Sequence, residues 1–238
     1  MKDAQPQGLS RRRVEQLLAK TKSHRTAGSR IEVLSHQFLG LPYKINPLIG
    51  SSDQQEIFTI SLDGFDCVTY VETILALARS ATVDEFIAWM RRIRYDGGRP
   101  EWKRRNHYMI FWIRNNIREG ALHRVLPRGV ALTVKKRTLD LLPGLQPRRA
   151  RFTCVPKSSL IRLTPSLRTG DVILFASTRK HHDVFHCGII VRDKDRLLMR
   201  HASRSRGEVV EQALKEFLKA NRMAGVIVVR PTEGDLKD

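Results

Sequence analysis

The sequence predicts an α+β domain in which N-terminal helices pack against a C-terminal antiparallel sheet. In the first half of the chain the apolar residues recur at helical spacing, whereas from about residue 151 the spacing becomes that of strands. Helices followed by a run of strands indicate separate helical and sheet layers rather than alternating βαβ units. With 238 residues, of which 41% are hydrophobic and 28% charged, the chain is long enough for one sizeable core.

We expect the chain to divide into three segments. Residues 1–27 form an N-terminal extension with a short helix that Ser10 caps, and residues before about position 9 are disordered. Residues 28–232 form the main domain, and residues 233–238 form a tail. No apolar run approaches the roughly 20 residues that a membrane span needs.

Capping residues and apolar stripes predict three further helices in the first half of the chain. One covers residues 30–38 and stops before a glycine and a proline. Another covers residues 82–92, where Thr82 and Glu85 match a capping box. The third covers residues 106–117 and ends at a glycine.

Short strands are predicted in the second half of the chain, at residues 152–155, 160–163, 172–176, 184–191, 196–202 and 225–230. Only residues 209–220 look helical there. Residues 56–60 are a candidate short strand. Residues 121–150 are basic and irregular, and we interpret them as a surface excursion.

Cys67 is predicted to lie at the start of a helix, after Asp63, Gly64 and Asp66, which are typical of a capped helix N-terminus. The positive end of a helix favours the thiolate, which is the nucleophilic form of cysteine. The helix also carries an apolar stripe that includes Cys67, so the thiol would face the sheet. The alternative is that Cys67 is a small buried core residue.

Two histidines occur in consecutive predicted strands, joined by the polar segment at residues 192–195. If those four residues form the loop, His186 lies directly opposite His201 on one face. Gly188 would share that face and leave room for a helix or a substrate. Cys67, His186 and His201 could then act as nucleophile, base and orienting group, although a strand histidine is more often an ordinary half-buried residue.

A metal site is the competing interpretation, because zinc-type ligands are dense between His181 and His201. However, Asp183 and Cys187 would point away from His186, and the neighbouring basic residues disfavour a cation. We therefore predict no metal and no cofactor. Cys187 and Cys154 are expected to be small apolar strand residues, and three scattered cysteines do not form a disulfide framework.

The chain resembles the NlpC-type papain-like cysteine peptidases, and more narrowly their N-acetylmuramoyl-L-alanine amidase-like branch. The resemblance covers about residues 28–230 and is most specific at residues 65–78; the other matching segments are residues 38–43, 94–95, 106–108 with Trp112 and Asn115, 170–171 and 186–203. It implies a papain-like fold with the catalytic cysteine at a helix N-terminus.

The resemblance also implies roles for single residues. Cys67 would be the nucleophile, His186 the base and His201 the third member of the triad. Tyr43 would lie near the oxyanion, whereas His107 and Tyr108 would be substrate contacts. Cys187 stands where the family usually has valine.

The function that this resemblance implies is hydrolysis of the bond between N-acetylmuramic acid, often in its anhydro form, and L-alanine in cell-wall peptidoglycan. A stem-peptide endopeptidase is the nearest alternative, and a catalytically inactive wall-binding module is another. A basic nucleic-acid-binding protein with a structural cysteine is also considered, but aromatic residues make up only 7% of the chain.

The partners that we expect are muropeptides and, given the net charge of +19, anionic wall polymers. We expect a monomer that does not bind nucleic acid. The N-terminal residues lack the apolar core of a signal peptide. The expected compartment is therefore the cytoplasm, or the periplasm or cell envelope if a leader was removed or export is leaderless.

Overall fold

The computed structural model describes residues 5–126 and 128–233, and it confirms the separation of helices and sheet. In these residues the helices are α1 Arg11–Ala19, α2 Ala27–His36, α3 Cys67–Ala78, α4 Val83–Arg94, α5 Met109–Arg118, α6 Leu160–Leu163 and α7 Leu214–Ala220. The strands are β1 Leu122–Arg124, β2 Thr133–Leu139, β3 Arg148–Cys154, β4 Val172–Ala176, β5 Val184–Asp193, β6 Arg196–Ser203, β7 Glu208–Ala213 and β8 Gly225–Pro231.

Six strands form the main sheet in the order β1-β8-β4-β5-β6-β7, and every neighbouring pair is antiparallel. Strands β2 and β3 form a separate hairpin. All five residues of β4 are buried, as expected for a central strand that is covered on both faces. No helix in the described part of the chain is long and apolar enough to cross a membrane.

The main sheet has a different apolar cluster on each face. Alternate residues of β4, such as Leu174, join the larger cluster with helices α1 to α5. The intervening residues, such as Ile173 and Phe175, join a smaller cluster with α6 and α7. The alternation follows from the two-residue period of a strand, so each strand residue belongs to one face only.

Helix α3 lies at the centre of the larger cluster. Ten of its twelve residues are buried, including the polar Thr69, Glu72 and Thr73. It packs against α1, α2 and α4 as well as against β5 and β6. A helix that is apolar on nearly all sides is typical of one enclosed by other elements.

The predicted helix starts and stops are confirmed to within a few residues. Ser10 caps α1 by accepting a hydrogen bond from the Arg13 N–H, and Thr82 caps α4 in the same way. The second predicted helix begins earlier than expected, because Thr26 caps α2. The helix predicted at residues 106–117 begins later, since α5 starts at Met109.

Two predictions in the second half of the chain are wrong in type. The apolar run at residues 160–163 is the short helix α6 rather than a strand, and Ile161 is 81% exposed. Such a run is too short for its periodicity to separate helix from strand. The segment predicted as helix at residues 209–220 begins with β7, because Val209 and Val210 pair with β6, and it becomes helical only from Leu214.

The segment predicted to be irregular, residues 121–150, contains β1, β2 and the start of β3. The two-residue alternation expected of strand β2 cannot be seen in the sequence, because basic residues occupy both of its faces. Conversely, the candidate strand at residues 56–60 makes only isolated bridges, at Ile57 and Thr59.

The N-terminal residues that are described pair with the domain. Gln7 forms a bridge with Thr59, so the expected disorder is wrong at this residue, and residues 1–4 lie outside the described part of the chain. Helix α1 buries Val14, Leu17 and Leu18 in the larger cluster. The division at residue 28 stays a prediction, and most of the predicted tail lies outside the described residues.

A buried ion pair joins α3 to α4. Glu72 and Arg94 are 2.7 Å apart, and their side chains are only 3% and 2% exposed. Arg94 also donates to the carbonyl oxygen of Thr59 at 2.6 Å. Each charge is therefore satisfied by a partner inside the core, where an unpaired charge is strongly unfavourable.

We expect Arg94→Met to lower the free energy of unfolding by about 3–5 kcal/mol, because it leaves Glu72 buried without its cation. Urea denaturation measures the loss. Arg118→Met, which removes an exposed ion pair with Asp96, is the matched control and should cost less than about 1 kcal/mol. Equal losses in the two variants would contradict the assignment, and Glu72→Leu combined with Arg94→Met should recover much of the stability.

Candidate active site

The first turn of α3 is held by a reciprocal pair of hydrogen bonds. Oδ1 of Asp66 accepts from the Thr69 N–H at 2.7 Å, and Oγ1 of Thr69 accepts from the Asp66 N–H at 3.0 Å. This capping box makes Cys67 the first residue of the helix, as predicted. Gly64 allows the approach, because a Cβ there would lie 2.7 Å from the Pro42 carbonyl oxygen.

The β5–β6 hairpin has a shorter loop than the sequence predicted. Asp193 pairs with Arg196, so the loop consists of Lys194 and Asp195 rather than of residues 192–195. Lys194 takes a positive φ of 52°, which suits a tight two-residue hairpin turn. The predicted register is therefore wrong by two residues, a shift that leaves every side chain on its expected face.

In the observed register His201 is diagonal to His186 instead of directly opposite. The two histidines still share a face, and Nε2 of His186 lies 2.8 Å from Nδ1 of His201. Gly188 does not leave room for a helix or a substrate: a Cβ there would lie 2.8 Å from Cγ of Met199. Its small size lets β6 approach β5.

Strands β5 and β6 stop pairing at the end that carries the histidines. Their pairing ends at Ile189 and Arg200, although β5 continues beside β4 to Val184 and β6 continues beside β7 to Ser203. The edge of β5 is therefore open to Cys67 at the N-terminus of α3. Cys67 interacts there with side chains from both faces of β5, namely Cys187 on the α3 face and His186 on the α7 face.

These contacts make Cys67 acidic. Hydrogen bonds from the Cys187 thiol and from His186, together with the charge of His186, hold the pKa of Cys67 well below its ordinary value despite burial. The first turn of a helix favours a thiolate in the same direction. The half-buried Cys67 thus has the electrostatic surroundings of a reactive cysteine.

His201 is held neutral. Burial and the charge of His186 lower the pKa of His201 to about 3. Hydrogen bonds with the Gln212 side chain and with the Ala202 backbone oppose this shift. A neutral His201 with its proton on Nε2 can accept at Nδ1 the hydrogen bond from a His186 N–H.

Aromatic rings fix the plane of His186. Phe217 of α7 stacks on it at a centroid distance of 5.3 Å and an interplanar angle of 24°, and Phe175 of β4 stacks at 6.2 Å and 16°. The His201 ring meets the His186 ring edge-on at 4.7 Å. Both ring nitrogens of His186 therefore keep fixed directions, one toward His201 and the other available to Cys67.

Of the three predicted substrate contacts, the structure brings Tyr43 to the cysteine. Tyr43 pairs with Phe65, just before α3. Burial and the nearby Cys67 and Asp66 raise the pKa of Tyr43, and Arg204 from the β6–β7 loop opposes that rise. The exposed Arg204 is thus a cation near Tyr43 that sequence reasoning missed.

The structure places His107 and Tyr108 in a different cavity, of about 300 Å³. His107 contacts the Trp102 carbonyl oxygen through Nε2 at 2.8 Å, and burial lowers the pKa of His107 to about 4. The Tyr108 hydroxyl accepts from the Leu141 N–H at 3.0 Å. The cavity walls also carry several arginines, and a role of His107 and Tyr108 in substrate binding stays a prediction.

The residues that the sequence offered as candidate metal ligands lie in separate environments and have different partners. His181 pairs with Asp140 at 2.8 Å, and Asp183 accepts the Ile110 N–H at 2.8 Å. Within the described ranges no group of three or more His, Cys, Asp or Glu side chains has the arrangement of a metal site.

Cys187 differs from its expected role. It points away from His186 along β5, as expected, and this orientation directs it toward Cys67 instead of into an inert part of the core. Its sulfur lies 3.2 Å from the Cys67 carbonyl oxygen. The alternation of side chains along β5 already predicts that Cys187 lies on the face opposite to His186. The contact could have been predicted if it had been known that α3 covers the Cys187 face.

We expect the neutral state of His201 to make stability depend on pH. Its folded pKa is depressed below the unfolded value of about 6.5, so its contribution is complete above about pH 6.5 and is lost as the pH falls toward about 3. The free energy of unfolding of His201→Asn should therefore fall less steeply over this range than that of wild type, in urea titrations at each pH. His123→Asn, on an exposed position of β1, controls for the residue change. Parallel curves for wild type and His201→Asn would refute the assignment.

Several solved structures share this fold. Protein LPG0564 from Legionella pneumophila is 19% identical with a TM-score of 0.82, over 94% of this chain and 95% of that one. An N-acetylmuramoyl-L-alanine amidase from Bacteroides uniformis is 25% identical with a TM-score of 0.76, over 87% and 99%. A protein from Bacteroides fragilis described as a candidate xylanase is 28% identical with a TM-score of 0.69, over 82% and 98%.

Sequence families point in the same direction as the amidase structure. No curated protein matches the chain significantly. The AmiA-like family, described as N-acetylmuramoyl-L-alanine amidase-like, matches residues 33–226, which is most of the chain. The chain therefore belongs to the AmiA-like, N-acetylmuramoyl-L-alanine amidase-like family.

Proposed function

We propose that this chain is a cysteine amidase of the NlpC-type papain-like kind, which hydrolyses the bond between N-acetylmuramic acid and the L-alanine of the stem peptide. One observation carries the proposal: Cys67 begins a buried helix and interacts with His186, whose Nε2 lies 2.8 Å from the neutral His201. Acyl transfer by a cysteine requires a nucleophile, a base that contacts it, and a third group that orients the base. Cys67, His186 and His201 would fill these roles in that order. Family membership supports the hydrolase class.

The proposed reaction begins with the Cys67 thiolate attacking the carbonyl carbon of the lactyl amide. The charge on the carbonyl oxygen is stabilised by the backbone N–H of Cys67, one of the first-turn N–H groups that no intrahelical carbonyl can reach. Tyr43, whose pKa is raised by the nearby Cys67, would contact the same oxygen. The helix end also contributes its partial positive charge.

Protonated His186 next gives its proton to the nitrogen of L-alanine, and the stem peptide leaves. A water molecule, activated by the now neutral His186, then attacks the thioester carbonyl and releases the sugar acid and Cys67. During both steps His201 accepts the hydrogen bond from Nε2 of His186 and holds the ring in one tautomer.

The charge of the protein suits an anionic substrate. The formal net charge is +19, and Arg204 adds a cation near Tyr43 at the cysteine. Stem peptides carry carboxylates, so the positive field should speed their association and should weaken with added salt. This field would favour any peptidoglycan fragment and does not by itself select the scissile bond.

A glycosidase, the activity named for the Bacteroides fragilis protein, fits these residues less well. Glycoside hydrolysis by the common mechanism needs two carboxyl groups that flank the bond. Near Cys67, Asp66 is committed to the α3 cap, and Glu72 is in the buried pair with Arg94. Neither carboxyl is free to act on a sugar.

We expect Cys67 to be alkylated by iodoacetamide with an apparent pKa below the value of about 8.5 of an ordinary cysteine. His186→Ala should move that pKa upward, because it removes both a hydrogen bond and a positive charge from the thiolate. Mass spectrometry of residues 45–79 after timed quenching gives the rate at each pH. Cys154, whose pKa is raised by burial, is the internal control and should stay unmodified. An unchanged profile in His186→Ala would contradict the cysteine–histidine pair.

With defined muropeptides, in anhydro and reducing forms, wild type is expected to release the intact stem peptide from the sugar. Cys67→Ala and His186→Ala should each lose at least about 10³-fold in rate, because acyl transfer has lost its nucleophile or its base. Product masses identify the bond that is cut. Cys154→Ala, a buried cysteine that the mechanism does not use, should keep wild-type activity.

Three outcomes would replace the proposal. A shortened stem peptide would move the cut to an endopeptidase bond. Sugar products without peptide release would favour a glycosidase. Folded protein that gives no product, with Cys67 inert to alkylation and with salt-dependent binding of DNA, would favour the nucleic-acid alternative.

A further inference from the structure

Cys187 is a buried thiol beside the candidate nucleophile, and the proposed mechanism gives it no chemical step. It lies on β5, where its thiol donates to the Cys67 carbonyl oxygen at 3.2 Å and also interacts with the Cys67 side chain. The remaining cysteine, Cys154, is on β3, and its sulfur contacts the carbonyl oxygens of Thr133 and Ala224. The three cysteines therefore comprise one adjacent pair and one separate thiol.

We propose that Cys187 is a resolving thiol, so that reaction with a hydroperoxide converts Cys67 and Cys187 into a reversible disulfide. The inference rests on the proposed function in one respect, namely that Cys67 is a thiolate. It does not depend on the substrate or on the bond that the enzyme cuts.

The first step oxidises Cys67. Its thiolate attacks the terminal oxygen of the hydroperoxide, an S–O bond forms and the O–O bond breaks. The sulfur loses two electrons and becomes a sulfenic acid, while the peroxide is reduced and leaves as alkoxide or hydroxide, which takes up a proton. Since Cys67 is only half-buried, a small hydroperoxide can reach it.

The second step forms the disulfide. The Cys187 sulfur attacks the Cys67 sulfur, the S–S bond forms, the S–O bond breaks, and the hydroxyl leaves with the Cys187 proton as water. No further oxidant is needed. The product covers the nucleophile, and a dithiol reductant restores both thiols.

Oxidation of Cys67 also prepares Cys187 for its attack. In the reduced protein the pKa of Cys187 lies well above its ordinary value, first because its thiol is hydrogen-bonded to Cys67 and also because of burial and the Cys67 charge. A sulfenic acid at Cys67 is neutral, so the contribution of the Cys67 charge to that raised pKa is lost. Cys187 is therefore inert while Cys67 is a thiolate and becomes more acidic only after Cys67 has been oxidised.

The fold keeps the two cysteines adjacent. Cys67 is fixed by the Asp66–Thr69 capping box, and Cys187 is fixed in the β4–β5 pairing opposite Leu174. Neither residue is in a mobile loop connection, so the encounter does not depend on a rearrangement of the chain. A sulfenic acid at Cys67 would meet Cys187 before a second peroxide molecule arrived at low peroxide concentration.

The test uses peptide masses after treatment with hydrogen peroxide and blocking of free thiols. Trypsin places the three cysteines on separate peptides, covering residues 45–79, 152–157 and 181–192. Wild type should yield a disulfide between peptides 45–79 and 181–192, which dithiothreitol removes while alkylation of Cys67 returns. Formation of the sulfinic acid at Cys67 without any such cross-link would overturn the proposal, as would a disulfide that involves peptide 152–157.

Variants keep the result interpretable. Cys187→Val and Cys187→Ser should lose the cross-link and should accumulate irreversibly oxidised Cys67 at peroxide doses from which wild type recovers. Cys154→Ala is the matched control and should cross-link as wild type does. Equal recovery in Cys187→Val and wild type would refute a resolving role.

The outcome also separates this inference from the proposed function. If Cys67 reacts with iodoacetamide and the enzyme cuts muropeptides, but peroxide gives no cross-link, only the resolving role of Cys187 fails. If Cys67 resists both iodoacetamide and peroxide, the thiolate itself is absent and the proposed function fails with it.

Discussion

The capping box between Asp66 and Thr69 determines where the Cys67 thiol lies. It fixes the first turn of a helix that is buried over most of its length, so the position of Cys67 at the helix N-terminus is set by the cap. Burial and the neighbouring Cys67 raise the pKa of the capping carboxyl to about 6. The Asp66 carboxylate and the Cys67 thiolate therefore repel each other, whereas the positive end of the helix favours both negative charges.

The separation of β5 from β6 is the second constraint, and it complements the first. Side chains on opposite faces of one strand cannot normally meet the same group, because the neighbouring strand lies between them. Beyond Ile189 the regular pairing of β5 with β6 ends, and there Cys67 at the N-terminus of α3 interacts with both His186 and Cys187. The site therefore combines a histidine from one face with a thiol from the other, and the aromatic stack on His186 keeps its ring directed toward this edge.

The sequence predicted the parts of the site that depend on local rules. The helix start at Cys67 follows from capping chemistry, and the shared face of His186 and His201 follows from strand parity, which survives a register error of two residues. Two features could not be predicted because they depend on tertiary contacts. One is the β2–β3 hairpin, in which basic residues on both faces of β2 hide the two-residue period of a strand. The other is the proximity of Cys187 to Cys67. The alternation of apolar and polar residues along a strand predicts which residues share a face. It does not predict which helix or strand covers each face.

The position of Cys187 shows how one contact can serve two purposes. A thiol that donates a hydrogen bond to a thiolate stabilises the form that attacks an amide, and the same form is the one that peroxides oxidise. A valine at position 187 would leave Cys67 without this hydrogen-bond donor. It would also leave oxidised Cys67 without a neighbouring thiol that could form a disulfide with it. Because Cys187 is buried and has its pKa raised by Cys67, it does not compete with Cys67 for substrate. In the proposed function Cys67 makes the nucleophilic attack, and in the proposed redox cycle Cys187 restores Cys67 after oxidation.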